Sequence, residues 1–135
     1  MSGLVLKLGP RERVMVNGVV MENGDRRTRL NIITPEANVL RLRDAIPPHE
    51  ANTPVKRVAY IAQLVLAGET DKELAKRQLL TGIEQLSHVF KDNESQQSLD
   101  HATESIVVDN FYPALKALRS LIGRESRLLE KVGLQ

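Results

Sequence analysis

Ile46-Pro47-Pro48-His49-Glu50-Ala51-Asn52-Thr53-Pro54 is the stretch at which the chain changes its periodicity. Each proline fixes its own φ and biases its predecessor toward extended conformations, so no helix runs through Pro47-Pro48. Upstream, to about Ile46, the sequence is written in short alternating runs separated by turn residues, the period-2 pattern of half-buried strands. Downstream, Thr53 offers an N-cap and Pro54 sits at the first helical position, where its missing N–H costs nothing. The 135 residues therefore divide into a β-rich part, 1–46, and a helical part, 47–135. The predicted class is α+β: a small antiparallel β layer followed by a bundle of about four α-helices.

The strand candidates are Leu4–Leu8, Arg13–Met21, Thr28–Ile33 and Asn38–Arg43. Asn17-Gly18 and Asn23-Gly24 supply the positive φ that tight turns or bulges demand, and Val14–Met21 reads either as a bent strand or as a short hairpin. Alternation places Leu4, Leu6 and Leu8 opposite Val5 and Lys7, and Val14 and Val16 opposite Arg13, Met15 and Asn17. It also places Leu30 and Ile32 opposite Arg27, Arg29 and Asn31, and Leu40 and Leu42 opposite Arg41 and Arg43. The basic residues share one set of faces. Arginines facing water are usually a solvated face, but crowding like charges on strands costs stability, which turns attention to an anionic ligand.

In the helical part Val55, Val58, Ala59, Ala62, Val65 and Leu66 form one stripe, widened by Ile61 and Leu64, and the helix ends near Gly68. Thr70 with Glu73 reads as a capping box for a second helix carrying Leu79, Ile83, Leu86 and Phe90. A third, weaker helix covers Ser95–Asp109. The last starts near Tyr112, with Pro113 in its first turn, and Gly123 is the expected break before Leu128, Leu129 and Val132. A β layer this small buries too little alone and must pack on the helices, on a second copy, or on both. The broad apolar girth of Val55–Leu66 exceeds what one neighbour buries, which predicts a homo-oligomer.

Nineteen Lys+Arg against seventeen Asp+Glu leave a net charge of only +2, but the excess is local. Between Arg26 and Arg43 five arginines face one acid, Glu36, whereas from Ala51 onward eleven basic residues meet eleven acidic ones. An anionic partner should therefore meet the first third of the chain. With no cysteine there is no disulfide, thiolate metal site or cysteine nucleophile, and a reducing, cytoplasmic setting is the expectation. The Met1–Gly9 stretch reads as structure rather than a signal peptide, and no run approaches the ~18 apolar residues of a membrane helix. His49, His88 and His101 show no metal-ligand spacing, no phosphate-binding glycine motif occurs, and Gly3, Gly9, Gly18 and Gly24 are dispersed turn residues. Asp100-His101 near Ser98 and Ser105 is a chance grouping of polar residues. An enzyme is not expected, and no metal or organic cofactor is implied. All four aromatics (Tyr60, Phe90, Phe111, Tyr112) lie in the helical part, which disfavours base stacking on a sheet.

The runs Leu4-Val5-Leu6-Lys7-Leu8, Gly9-Pro10-Arg11-Glu12-Arg13-Val14, Val16-Asn17-Gly18 and Glu22-Asn23-Gly24-Asp25-Arg26-Arg27 resemble the FlbT family. So do Val39–Ile46, Ala51–Arg57, Tyr60–Leu66, Gln78-Leu79-Leu80, Gly82–Leu86 and Ala114–Arg119, so that the likeness covers nearly the whole chain. It implies a bacterial post-transcriptional regulator of flagellum biogenesis that associates with the 5′ untranslated region of flagellin mRNA and commonly promotes its degradation, with activation in some relatives. The β part also resembles, more distantly, the carbon storage regulator CsrA, through Gly9, Glu12, Val16-Asn17-Gly18, Arg29–Pro35 and Arg43–Ile46. In that family a basic first strand and an arginine ending the last strand contact RNA, which matches Lys7 and Arg43 here. Lys7 is followed by Leu8 rather than a second basic residue, and Pro47-Pro48 replaces a direct entry into a helix.

The candidate RNA-binding residues are thus Lys7, Arg13, Arg26, Arg27, Arg29, Arg41 and Arg43, facing a single-stranded flagellin mRNA leader through phosphates and guanidinium stacking. The alternative is an adaptor or chaperone-like protein that binds flagellin or a flagellar regulatory protein through its helical half, with indirect effects on mRNA.

Overall fold

The computed structural model describes residues 4–133; Met1, Ser2 and Gly3, the start of the Met1–Gly9 stretch expected to be structured, lie outside the described residues. Five strands, β1 (Leu4–Leu8), β2 (Arg13–Val16), β3 (Val19–Glu22), β4 (Thr28–Ile32) and β5 (Val39–Arg41), precede five helices. These are α1 (Pro54–Leu66), α2 (Lys72–Ser87), α3 (Asn93–Val107), α4 (Phe111–Arg119) and α5 (Ile122–Lys131). The α+β class is as the periodicity predicts.

The strands form two sheets rather than one layer. β1 and β4 make an antiparallel ribbon, with Leu6 opposite Leu30 and Lys7 opposite Arg29. β3, β2 and β5 form a second antiparallel sheet in that order. Alternation holds along the ribbon: Leu6 and Leu8 are buried while Val5, Lys7, Arg29 and Asn31 are exposed. Arg13–Met21 is a hairpin, and its turn is Asn17-Gly18, with φ of 50° and 85°, the pair of positive φ values a two-residue turn needs to follow strand twist. Asn23-Gly24 is different: neither residue has positive φ, and Asn23 acts through its side chain instead. β5 is shorter than expected. Val39 and Leu40 are both buried because the strand lies between β2 and α1, and Leu42–Asp44 then close a 3-10 turn, so Arg43 stands on that turn rather than on the strand that carries Arg41. β3 is a free edge, exposed on both faces.

At the joint, the side-chain amide of Gln63 is buried and accepts from the Ile46 N–H (2.7 Å) while donating to the Ile46 carbonyl (3.1 Å). That replaces the partners the extended prolyl segment cannot supply. Thr53 caps α1 as expected, accepting from the Lys56 N–H. The first turn of α1 has a second cap from far along the chain: the buried Glu125 carboxylate of α5 accepts from the Val55 N–H at 2.8 Å and from the Thr53 hydroxyl. Orphan N–H groups at a helix start favour an acceptor carrying negative charge.

The other helix boundaries correct the expectations by small shifts. The cap of α2 is Asp71, accepting from the Leu74 N–H, and not Thr70. Asp92 caps α3. The last helical stretch breaks at Ser120-Leu121, where Leu121 is fully buried and pins the corner, while Gly123 lies inside α5; the α-helices of the described residues number five. α1 packs against α2 and α4, and α3 packs against the same two. α5 touches α1. Much of the girth of α1 is packed within one chain, with Val55, Val58, Ala59, Ala62, Val65 and Leu66 buried, while Ile61 and Leu64 stay half-buried. One buried cluster runs from Leu6, Leu8, Val14 and Val39 through the helices, so both parts share a core.

α1 and α2 cross so closely at Gly82 that a Cβ there would stand 2.7 Å from Val58 Cγ2. Val58 is β-branched and stiff in a helix, so it cannot swing aside. Gly82→Ala is expected to destabilise the protein by about 1–2 kcal/mol despite the better helix propensity of alanine, through overpacking. Adding Val58→Ala should recover less than a full cavity cost, giving a favourable coupling in a double-mutant cycle read by urea unfolding.

Candidate nucleic-acid interface

The basic residues fall into three environments. The first is the outer face of the ribbon, where Lys7 and Arg29 are exposed and directly opposite one another. Like charges in register repel, at a cost of roughly a few tenths of a kcal/mol, and neither side chain has an ion-pair partner among the described residues. Arg26 and Arg27 sit in the loop entering β4, also exposed and without a salt bridge among the described residues. Asn23 fixes that loop: its side-chain amide donates to the Gly9 carbonyl (2.7 Å) and to the Arg26 carbonyl (2.9 Å). Thr28 adds a hydroxyl bond to the Arg26 carbonyl. The backbone carrying Arg26 and Arg27 is therefore tethered to the end of β1, beside the Lys7–Arg29 pair.

The second environment is a partly buried node. Glu12, in the β1–β2 turn, receives two bonds from Arg41 of β5: Nε to Oε2 at 2.6 Å and Nη2 to Oε1 at 2.7 Å. Arg41 Nη2 also donates to the Lys7 carbonyl at 2.7 Å, and the Gly9 N–H donates to Glu12. The side chains of Arg41 and Glu12 are only 11% and 8% exposed. The Arg41 bonds hold the Glu12 carboxyl at about 2, against the opposing push of burial, and Glu12 in turn raises Arg41 above its ordinary range. Arg41 is therefore not offered to a ligand. Arg43 is offered: its Nε stands 3.6 Å from Glu12 Oε2, yet its side chain is 60% exposed.

The third environment takes Arg13. It pairs with Glu22, its partner across the hairpin, at 3.0 Å, and Arg11 bridges Glu22 and Asp25. The two arginines hold the Glu22 carboxyl below the usual range. These pairs are exposed, so each is worth little and is screened by salt.

Of the seven candidates, the structure brings together Lys7, Arg29, Arg26 and Arg27 around one end of the ribbon, and joins Arg43 to them through Glu12, Arg41 and the Lys7 backbone. It sets Arg13 aside in a local ion-pair cluster and commits Arg41 to the fold. Sequence reading missed the roles of Glu12 and Asn23. The available signal was that Glu12 is the one acid in Arg11-Glu12-Arg13, and that Asn23-Gly24 lies just before the arginine run. The described residues contain no group of three or more His, Asp or Glu side chains placed to hold a metal ion, and no described helix is long and apolar enough to cross a membrane.

The family described as "Flagellar protein FlbT" matches residues 4–129. The chain is 30% identical over 128 residues to the probable flagellum biosynthesis repressor protein FlbT of Allorhizobium ampelinum, covering 95% of this chain and 85% of that protein. It is 28% identical over 129 residues to the flagellum biosynthesis repressor protein FlbT of Caulobacter vibrioides, covering 96% and 91%. With the probable repressor of Rhodopseudomonas palustris the identity is 31% over 128 residues, covering 95% and 98%. No solved structure matches the chain.

The Glu12 carboxyl, lowered in the folded state from 4.5 to about 2, contributes stability that is complete above its unfolded value and is lost as pH falls through the folded one. Denaturant unfolding from pH 7 to pH 2 should show this loss between about pH 4.5 and pH 2. Glu12→Gln should cost about 2 kcal/mol at neutral pH, below the cost for a fully enclosed pair because Arg43 opens one side to water, and should flatten the acid limb.

Proposed function

The chain belongs to the FlbT family of flagellar proteins, and from that premise we propose that it is a post-transcriptional repressor that holds the leader of a flagellin mRNA on its basic ribbon. The observation carrying this reading is the Lys7–Arg29 pair: two cations in register with no ion-pair partner among the described residues, with the tethered Arg26-Arg27 loop beside them and Arg43 nearby. A fold that keeps such repulsion gains when an anion lies across it. Single-stranded RNA suits the geometry, since phosphates spaced along a flexible backbone can visit several cations and guanidinium planes can stack on unpaired bases. No aromatic ring lies on the strands, so affinity comes mostly from charge and is strongly salt-dependent. Sequence preference then depends on arginine contacts to base edges and on main-chain groups along the free edges of the ribbon. Holding the leader blocks its other uses and commits the message to degradation. The work takes place in the cytoplasm and asks for neither metal nor cofactor nor a catalytic group on this chain.

Arg41→Ala is a poor test of this reading, because it also removes the partner of Glu12. Lys7→Ala with Arg29→Ala is clean. Filter-binding titrations against flagellin leader RNA at two salt concentrations should show affinity falling at least about tenfold and the log–log salt slope shrinking by roughly 1.4, the share of two phosphates. Thermal stability should stay level or rise slightly as the repulsion is relieved, and Arg13→Ala should leave affinity nearly unchanged. Full RNA affinity in the double variant would refute the assignment.

A further inference from the structure

We infer that the groove between α1 and α2 docks an amphipathic helix of another protein, one whose apolar stripe is flanked by acidic residues on both sides. The groove is an open cavity of about 720 Å³ in the helical part and shares no residue with the basic ribbon, so this inference stands apart from the RNA reading. Its floor is apolar, made by Val58 and Ile61 of α1 and Leu86 of α2, where the missing Cβ of Gly82 lets the helices approach. At its ends stand two large apolar side chains left open to water, Leu74 at 42% and Val89 at 62% exposed. Leu74 and Val89 are about 15 residues apart along α2 and its exit, a run of roughly 22 Å, or about four turns of a docked helix.

The charges select the occupant. Arg57 on the α1 wall and Arg77 on the α2 wall are the charged residues of the lining, no acidic side chain joins them, and neither forms a salt bridge with a described residue. At the Val89 end the surface continues into a smaller cavity with Leu128, 41% exposed, beside Arg127 and Lys131, against the single acid Asp92. A partner helix with leucine-like residues at i, i+3, i+4 and i+7 fills the floor, and glutamates beside that stripe meet arginine on either wall. A second copy fits poorly, because a two-fold contact presents this basic patch to itself. Nucleic acid fits poorly too: the lining holds no aromatic ring to stack a base, and phosphates gain nothing from an apolar floor.

The probes are two fluorescein-labelled designed helices of 18 residues with the same leucine stripe, one flanked by glutamates and the other by lysines. Polarisation titrations with the full-length protein should show the acidic helix binding at least about tenfold tighter than its basic twin. Arg57→Glu with Arg77→Glu should reverse the preference while leaving leader-RNA affinity intact. Leu74→Asp with Val89→Asp should weaken both helices without lowering the melting temperature, since both residues are exposed. Equal binding of the two probes, or a preference that survives the double charge reversal, overturns the inference. So does an oligomer, seen by size exclusion with light scattering, that Leu74→Asp with Val89→Asp dissociates, since a second copy is then the occupant. Competition between leader RNA and the acidic helix also overturns it, whereas loss of RNA binding in the ribbon variant with helix binding retained would separate the two surfaces.

Discussion

The Glu12–Arg41 ion pair is the constraint on which the β part depends. Five short strands are divided between a two-stranded ribbon and a three-stranded sheet, and no ladder hydrogen bond crosses between them among the described residues. A two-stranded ribbon is marginal in water. The pair supplies a junction. Glu12 belongs to the turn leaving β1, Arg41 belongs to β5, and the spare guanidinium N–H reaches the Lys7 carbonyl inside β1. A planar fork with fixed donor directions is required for this, because a lysine at 41 would meet the carboxylate but could not hold the carbonyl in the same geometry. The cost of desolvating both charges is offset by the two-pronged geometry, which gives each carboxylate oxygen an Arg41 donor, and by the Gly9 N–H, which adds a second donor to Oε1.

The node has a consequence for the surface beside it. By consuming Arg41 and drawing Arg43 toward Glu12, it leaves the outward cations concentrated on Lys7, Arg29 and the Arg26-Arg27 loop. These residues hold nothing in the fold: two repel one another and two sit on a loop fixed through its backbone by Asn23 and Thr28 rather than through their own side chains. Folding and the proposed RNA contact thus fall to different arginines, although periodicity places Arg29 and Arg41 in equivalent positions.

The parts of this structure legible in the sequence are those fixed by neighbours along the chain. Leucine alternation in β1, the Asn17-Gly18 turn and the Thr53-Pro54 helix start each depend on a few adjacent residues, and each is found where the pattern places it. Near misses have local causes as well. Asp71 and Thr70 are both good caps one residue apart, and the α4–α5 corner is set by burial of Leu121 rather than by the conformational freedom of Gly123. What sequence could not show is partnership at a distance. Glu12 meets Arg41 across 29 residues, Gln63 meets Ile46 across 17, and Glu125 meets Val55 across 70. Periodicity tells which face a side chain occupies but not what lies opposite, so it cannot separate an arginine held by the protein from one left for a ligand. The same holds for α1: its apolar girth is visible in the sequence, but its packing partners α2, α4, α5 and β5 are not.

If RNA lies on the ribbon as proposed, its binding must be tuned by geometry rather than by charge count. The whole chain carries only two net positive charges, and from Ala51 onward it is neutral in sum, so the attraction is short-ranged and fades beyond ~8 Å at physiological salt. A leader arriving at the ribbon therefore gains little from the rest of the molecule and must place its phosphates against the few cations that converge there. That favours an unpaired, flexible segment over a rigid duplex, whose phosphates are set at fixed intervals and cannot all turn toward a patch two strands wide. It also makes the tethering of the Arg26-Arg27 loop matter more than the number of arginines in it, because ordering a loop on binding would consume free energy that so small a contact cannot spare. Asn23, an uncharged residue that need not touch the ligand, is then what keeps the surface ready.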